Sequence, residues 1–117
     1  MNRDKFMNAL NNNEKPLDRG HYKRVIRASI DSLKDSNPRG HHDLIICMEE
    51  LAELQQALSK ELRGKGDPVN ILEEVADVLL CVGYIQEIMG LSDDLIVSAM
   101  NVKIDRLKNI LKKGDKP

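Results

Sequence analysis

The chain has 117 residues and a formal charge of −1, with 41% hydrophobic and 32% charged residues. That length suits one small domain, and the balance excludes general disorder and the basic footprint of a nucleic-acid binder. No apolar run approaches the roughly 20 residues that span a bilayer. "MNRDKFMNAL" also lacks the apolar stretch of a secretory signal, so a cytoplasmic setting without membrane contact is expected.

Residues 1–16 show little periodicity, and "NNNEKP" predicts a flexible or irregular arm. Residues 17–113 read as a single all-α domain, followed by a short tail at 114–117. A first helix is expected from Leu17 to Asp35, with Val25, Ile26, Ile30 and Leu33 on one face, ended by "SNPRG". A second runs from His41 to Leu62, with Leu44, Met48, Leu51, Leu58 and Leu62 as its apolar stripe. Asp67 and Pro68 suit the N-cap and first turn of a third helix, which ends at Gly90. This helix, to Met89, is apolar around most of its circumference and so requires cover on most sides. Ser92 caps a fourth helix carrying Leu95, Ile96, Ala99, Ile104, Leu107 and Leu111, ending near Gly114. No segment reads as a strand. A four-helix-type bundle is expected, with helices shared across a homodimer or homotetramer and a contact surface at Leu80, Tyr84 and Ile88. Cys47 and Cys81 sit in apolar helical patterns without CxxC spacing, as reduced core residues do.

Two stretches carry the chemistry. "CMEELAELQQ" holds Glu50 and Glu53, and "LEEVADVLLC" holds Glu74 and Asp77, each pair three residues apart and on one side of its helix. Helical arithmetic puts both pairs at the edge of an apolar seam. Two carboxylates roughly 5.5 Å apart repel by about 3 kcal/mol at an effective dielectric of 20, against under 1 kcal/mol in water. Four around one seam call for protonation or a cation, and an all-oxygen donor set favours Mg²⁺ or Mn²⁺. A di-iron site is not indicated: such bundles need ExxH, and His21, His41 and His42 all fall outside the motifs. His41 and His42 read as a surface pair at a helix start. "RGKG" lacks Walker A spacing.

"EELAELQQALSK" followed by "NILEEVADVLL" resembles the ExxE–spacer–ExxD signature of the MazG-like all-α nucleoside triphosphate pyrophosphohydrolases. Glu50 and Glu53 match the first half, Glu74 and Asp77 the second, with residues 54–73 as spacer. The resemblance covers residues 41–111. It implies Mg²⁺-dependent cleavage of an NTP to NMP and pyrophosphate, in a homo-oligomer, with those four acids as metal ligands. Glu53 is the candidate general base, ahead of Glu49. "MNVKIDRL" resembles the family's late helix, which implies Asn101, Lys103 and Arg106 as phosphate contacts; "SKELRGKG" similarly suggests Lys60, Arg63 and Lys65. Only Phe6, Tyr22 and Tyr84 are aromatic, so the Trp-rich base cage of dCTP-preferring relatives is missing. Phosphoribosyl-ATP pyrophosphohydrolase, with similar acidic helices, is the alternative enzyme. A non-catalytic helical dimerisation module is the alternative outside enzymes.

Overall fold

The structure is a computed structural model that describes residues 2–33, 35–36, 39–114 and 116. Its regular elements are all helical: α1 (Arg3–Asn11), α2 (Arg19–Asp31), α3 (His41–Leu62), α4 (Pro68–Met89) and α5 (Asp93–Lys112), with no strand among the described residues. The bounds of α3 and α4 are those expected from their caps. Asp67 accepts from the Val69 N–H at 3.0 Å, and Ser92 accepts from the Leu95 N–H at 3.2 Å.

The N-terminal arm differs from the expectation. Residues 3–11 form a helix because the Asn2 side chain caps it, accepting from the Lys5 N–H at 2.9 Å. Phe6 and Ala9 are its half-buried face, and Arg3, on that face, pairs with the Asp67 carboxylate at the start of α4. The guanidinium and the Val69 N–H hold Asp67 below the usual carboxylate range. α2 is shorter than expected at both ends, with Asp18 as its cap. Lys34, Asn37 and Pro38, in the segment expected to end that helix, lie outside the described residues, as do Asp115 and Pro117 of the tail.

α4 is the centre of the packing: α3 runs along it as an antiparallel hairpin partner, and α2 and α1 lie on other parts of its surface. α2 approaches so closely that a Cβ on Gly83 would lie 2.6 Å from Ile26 Cδ1 and collide with the Tyr22 hydroxyl. Gly40, at φ 67°, caps α3 and seats the Ile88 side chain, which a Cβ there would meet at 2.9 Å. The surface expected at Leu80, Tyr84 and Ile88 is therefore mostly covered within one chain. Ile88 packs on Gly40, and the Tyr84 hydroxyl donates to Ser29 Oγ at 2.8 Å. Leu80 alone of the three stays exposed.

The burial of α3 is the larger surprise. Its inner face is Asp43, Cys47, Glu50, Leu54 and Ala57, while Met48, Leu51, Leu58 and Leu62 of the expected stripe face outward. On α4, Leu72, Val75, Leu79, Val82 and Met89 are also exposed. α5 leaves α4 at a bend of 118°, buries no residue, and exposes Val97, Met100, Ile104, Leu107 and Leu111. The turn into α5 is held by Gln86, which donates to Asp93 at 3.0 Å and to the Leu91 carbonyl at 3.2 Å. Lys23 of α2 donates to the other Asp93 oxygen at 2.6 Å. No single helix among the described residues is long and apolar enough to cross a membrane.

Candidate metal centre

The α3–α4 hairpin decides where the acids meet. Near one end Gly40 touches Ile88; further along, the Cys47 thiol donates to the Cys81 carbonyl at 3.7 Å; near the connecting loop, Ala57 and Asn70 line one cavity. This register puts Glu50 across from Asp77 and Glu53 across from Glu74. The electrostatics agree. Asp77 is the strongest charge acting on Glu50, and Glu53 the strongest acting on Glu74.

Carboxylate oxygens of Glu50, Glu74 and Asp77 all lie within 4.8 Å of one another. Glu50 Oε2 and Glu74 Oε2 are buried with no hydrogen-bond partner. A buried carboxylate oxygen without a donor is costly, because burial removes its water and nothing replaces it. The pKa values register that cost. Burial first, then Asp77 and Glu53, push Glu50 up to about 7, and burial followed by Glu53 and Asp77 also raises Glu74. Glu53 itself is exposed, and its charge is among the causes that raise both glutamates. The fit to a hard divalent cation is therefore good. Its charge would satisfy the orphaned oxygens and remove the repulsion, with Glu50, Glu74 and Asp77 as inner donors and Glu53 at the rim.

Below the acids, burial pushes the Cys81 thiol up to about 12. Cys47 and Cys81 are buried free thiols, as the sequence suggested, and Cys81 stays protonated at neutral pH. His41 and His42 are exposed on the first turn of α3, and Glu49 is exposed, away from the site.

Toward the α3–α4 loop the hairpin groove opens into a cavity of about 340 Å³, lined in part by Arg3, Lys60, Lys65, Asp67, Asn70 and Glu73. Asn70 lies one turn before Glu74, and Ala57 one turn after Glu53, so this cavity continues the groove that holds the acids. Lys60 and Lys65 enter it; Arg63 instead donates to the Ser59 carbonyl at 3.3 Å. Arg3 is the residue that sequence reasoning missed, since nothing in its local pattern ties it to a loop more than sixty residues away. Asn101, Lys103 and Arg106 are exposed on α5, which does not pack along α3, so one chain does not gather them with the acids. By helical arithmetic, Asn101 and Lys103 flank the apolar face of α5 and Arg106 lies opposite it.

No family model, curated protein or solved structure matches this chain.

Proposed function

We propose that this protein is a Mg²⁺-dependent nucleoside triphosphate pyrophosphohydrolase, cleaving (d)NTP and water to (d)NMP and pyrophosphate. The observation that carries the reading is the convergence of both halves of the acidic pattern on one point, with two buried carboxylate oxygens left without donors. Ordinary solubilising acids stay in water, where their repulsion is small; Glu50 and Glu74 each bury an oxygen.

Glu50, Glu74 and Asp77 would hold Mg²⁺ or Mn²⁺. When bound, the cation supplies neutralising charge for phosphate oxygens and polarises water. The remaining work belongs to the chain. Glu53, exposed at the rim and close to two of the ligands, is placed to accept the proton of the attacking water at a carboxylate oxygen. Lys60, two turns along α3 from Glu53, and Lys65, in the connecting loop, bring positive charge to the cavity at that end of the groove, suited to the distal phosphates. Cys47 and Cys81, both buried, lie one turn beyond Glu50 and Asp77 on the side away from the lysines.

The test is a panel of common and deoxy NTPs, with phosphoribosyl-ATP included, incubated with and without Mg²⁺. The reading expects Mg²⁺-dependent NMP release from at least one NTP, abolished in Glu50→Gln. Turnover confined to phosphoribosyl-ATP would move the assignment to that enzyme. No turnover of any nucleotide would refute an enzymatic role.

A further inference from the structure

We propose that the cavity at the loop end of the α3–α4 groove binds a polyphosphate chain, and that Arg3 is one of its ligands, exchanging Asp67 for phosphate oxygens as the chain enters. That the chain is the tail of an NTP rests on the pyrophosphohydrolase reading.

The cavity measures about 340 Å³, at the small end of ligand pockets, which begin near about 300 Å³. Arg3, Lys60 and Lys65 line it against Asp67 and Glu73, so cations outnumber acids there in a chain whose formal charge is −1. The three cations come from the first turn of α1, the last turn of α3 and the loop that follows. Among the described residues, neither lysine is engaged in an ion pair. Ala57, on the cavity wall, is four residues from Glu53, about 6 Å along the helix axis. A chain anchored by one phosphate at the acids therefore extends its next phosphates toward the lysines.

Arg3 is paired with Asp67, and the character of that pair favours exchange over a fixed tether. Both members are exposed, at 56% and 41%, and exposed ion pairs contribute little because water screens both partners. The helix that delivers Arg3 is loosely held as well. α1 has nine residues and buries none of them; Phe6 and Ala9 are only half-buried. A helix that short is marginal without packing, and residues 12–18, which join it to α2, are exposed. A guanidinium fork matches phosphate oxygens in pairs, and a chain with several negative charges outcompetes one carboxylate for it. Asp67 keeps its other role throughout, because its second oxygen caps α4 at the Val69 N–H. Arg3 also lies outside residues 41–111, so the family resemblance says nothing of it.

Calorimetry with inorganic tripolyphosphate in EDTA, on the wild type, Arg3→Ala, Arg3→Lys and Asp67→Asn, tests the site with no need for hydrolysis. The wild type should bind, and Arg3→Ala should bind about tenfold more weakly, the worth of one charge-assisted hydrogen bond. Arg3→Lys, which keeps the charge and loses the fork, should fall between them. Asp67→Asn should bind several-fold more tightly: asparagine still caps α4, Arg3 is freed, and a negative charge leaves the cavity. The opposite signs decide the matter. If the pair merely docks α1, both substitutions break the same tether and weaken binding alike, which overturns the proposal. A wild type that does not bind tripolyphosphate, or Arg3→Ala binding it like the parent, also overturns it. Steady-state kinetics with NTP and Mg²⁺ separates this proposal from the reading it rests on. Tripolyphosphate binding in the expected order, without turnover of any nucleotide, supports the site and refutes the enzyme. Turnover with a KM that Arg3→Ala leaves unmoved supports the enzyme and refutes the role of Arg3.

Discussion

Replacing Glu50 by Gln should stabilise the metal-free protein at pH 8 relative to the wild type, by up to about 3 kcal/mol. In the fold, burial and the charges of Asp77 and Glu53 move the Glu50 carboxyl from its ordinary 4.5 up to about 7. Unfolded, it loses its proton near the ordinary value. Between those two values the folded state binds more protons than the unfolded state, so stability falls as pH rises. The contribution of the protonated form is complete below the unfolded value and is lost as pH climbs through about 7. At 1.36 kcal/mol per pH unit, the whole gap amounts to about 3 kcal/mol. The amide keeps the side chain's shape and cannot ionise. Urea unfolding followed by circular dichroism, in EDTA, from pH 5 to pH 8, measures the difference. The variant's advantage should grow from about 1 kcal/mol at pH 5, just above the unfolded value, to its full size at pH 8, and Mg²⁺ should erase it by stabilising only the wild type. An advantage that does not change with pH would refute the reasoning, because the orphaned carboxylate would then cost the fold nothing.

Glu50→Gln/Glu74→Gln should lose measurable Mg²⁺ affinity by calorimetry while keeping the wild-type helical spectrum; wild-type affinity would mean that the acids do not hold the ion. Wild-type Mg²⁺ affinity should rise as pH passes through about 7, since protons and metal compete for Glu50. Lys60→Ala/Lys65→Ala should raise KM for NTP several-fold with little change in kcat, if both lysines hold ground and transition states alike; steady-state kinetics reads the split. Gly83→Ala should destabilise the fold by about 1–3 kcal/mol in urea, because α2 must move to clear the new methyl group at Ile26 and Tyr22.

How much of this was legible in the sequence depended on the range of each signal. The limits of α3 and α4 follow from local chemistry, Asp67-Pro68 at one end and Gly90 at another, and they were read correctly. α1 was missed because its apolar content is thin and an Asn run follows it, so the Asn2 cap went unrecognised. The inner face of α3 was also misread. Its outward residues, Met48, Leu51, Leu58 and Leu62, are more apolar than the Asp43, Cys47 and Glu50 face that α4 covers. Periodicity finds the apolar stripe, but it cannot tell whether a neighbour within the chain covers it. The spacing of the four acids could be read from the sequence, whereas the facing of Glu50 and Asp77 and the two orphaned oxygens required the hairpin register. The meeting of Arg3 with Lys60 and Lys65 is set by tertiary packing and leaves no trace in local pattern.

The most direct test of the central claim is ³¹P NMR of a single reaction run with Mg²⁺ and NTP in ¹⁸O-enriched water. If the acid site directs water to the α-phosphorus, the products are NMP and pyrophosphate, and the isotope-shifted resonance belongs to NMP. In Glu53→Gln the same substrate should bind without turning over. Label in orthophosphate, with NDP as the second product, would contradict the account.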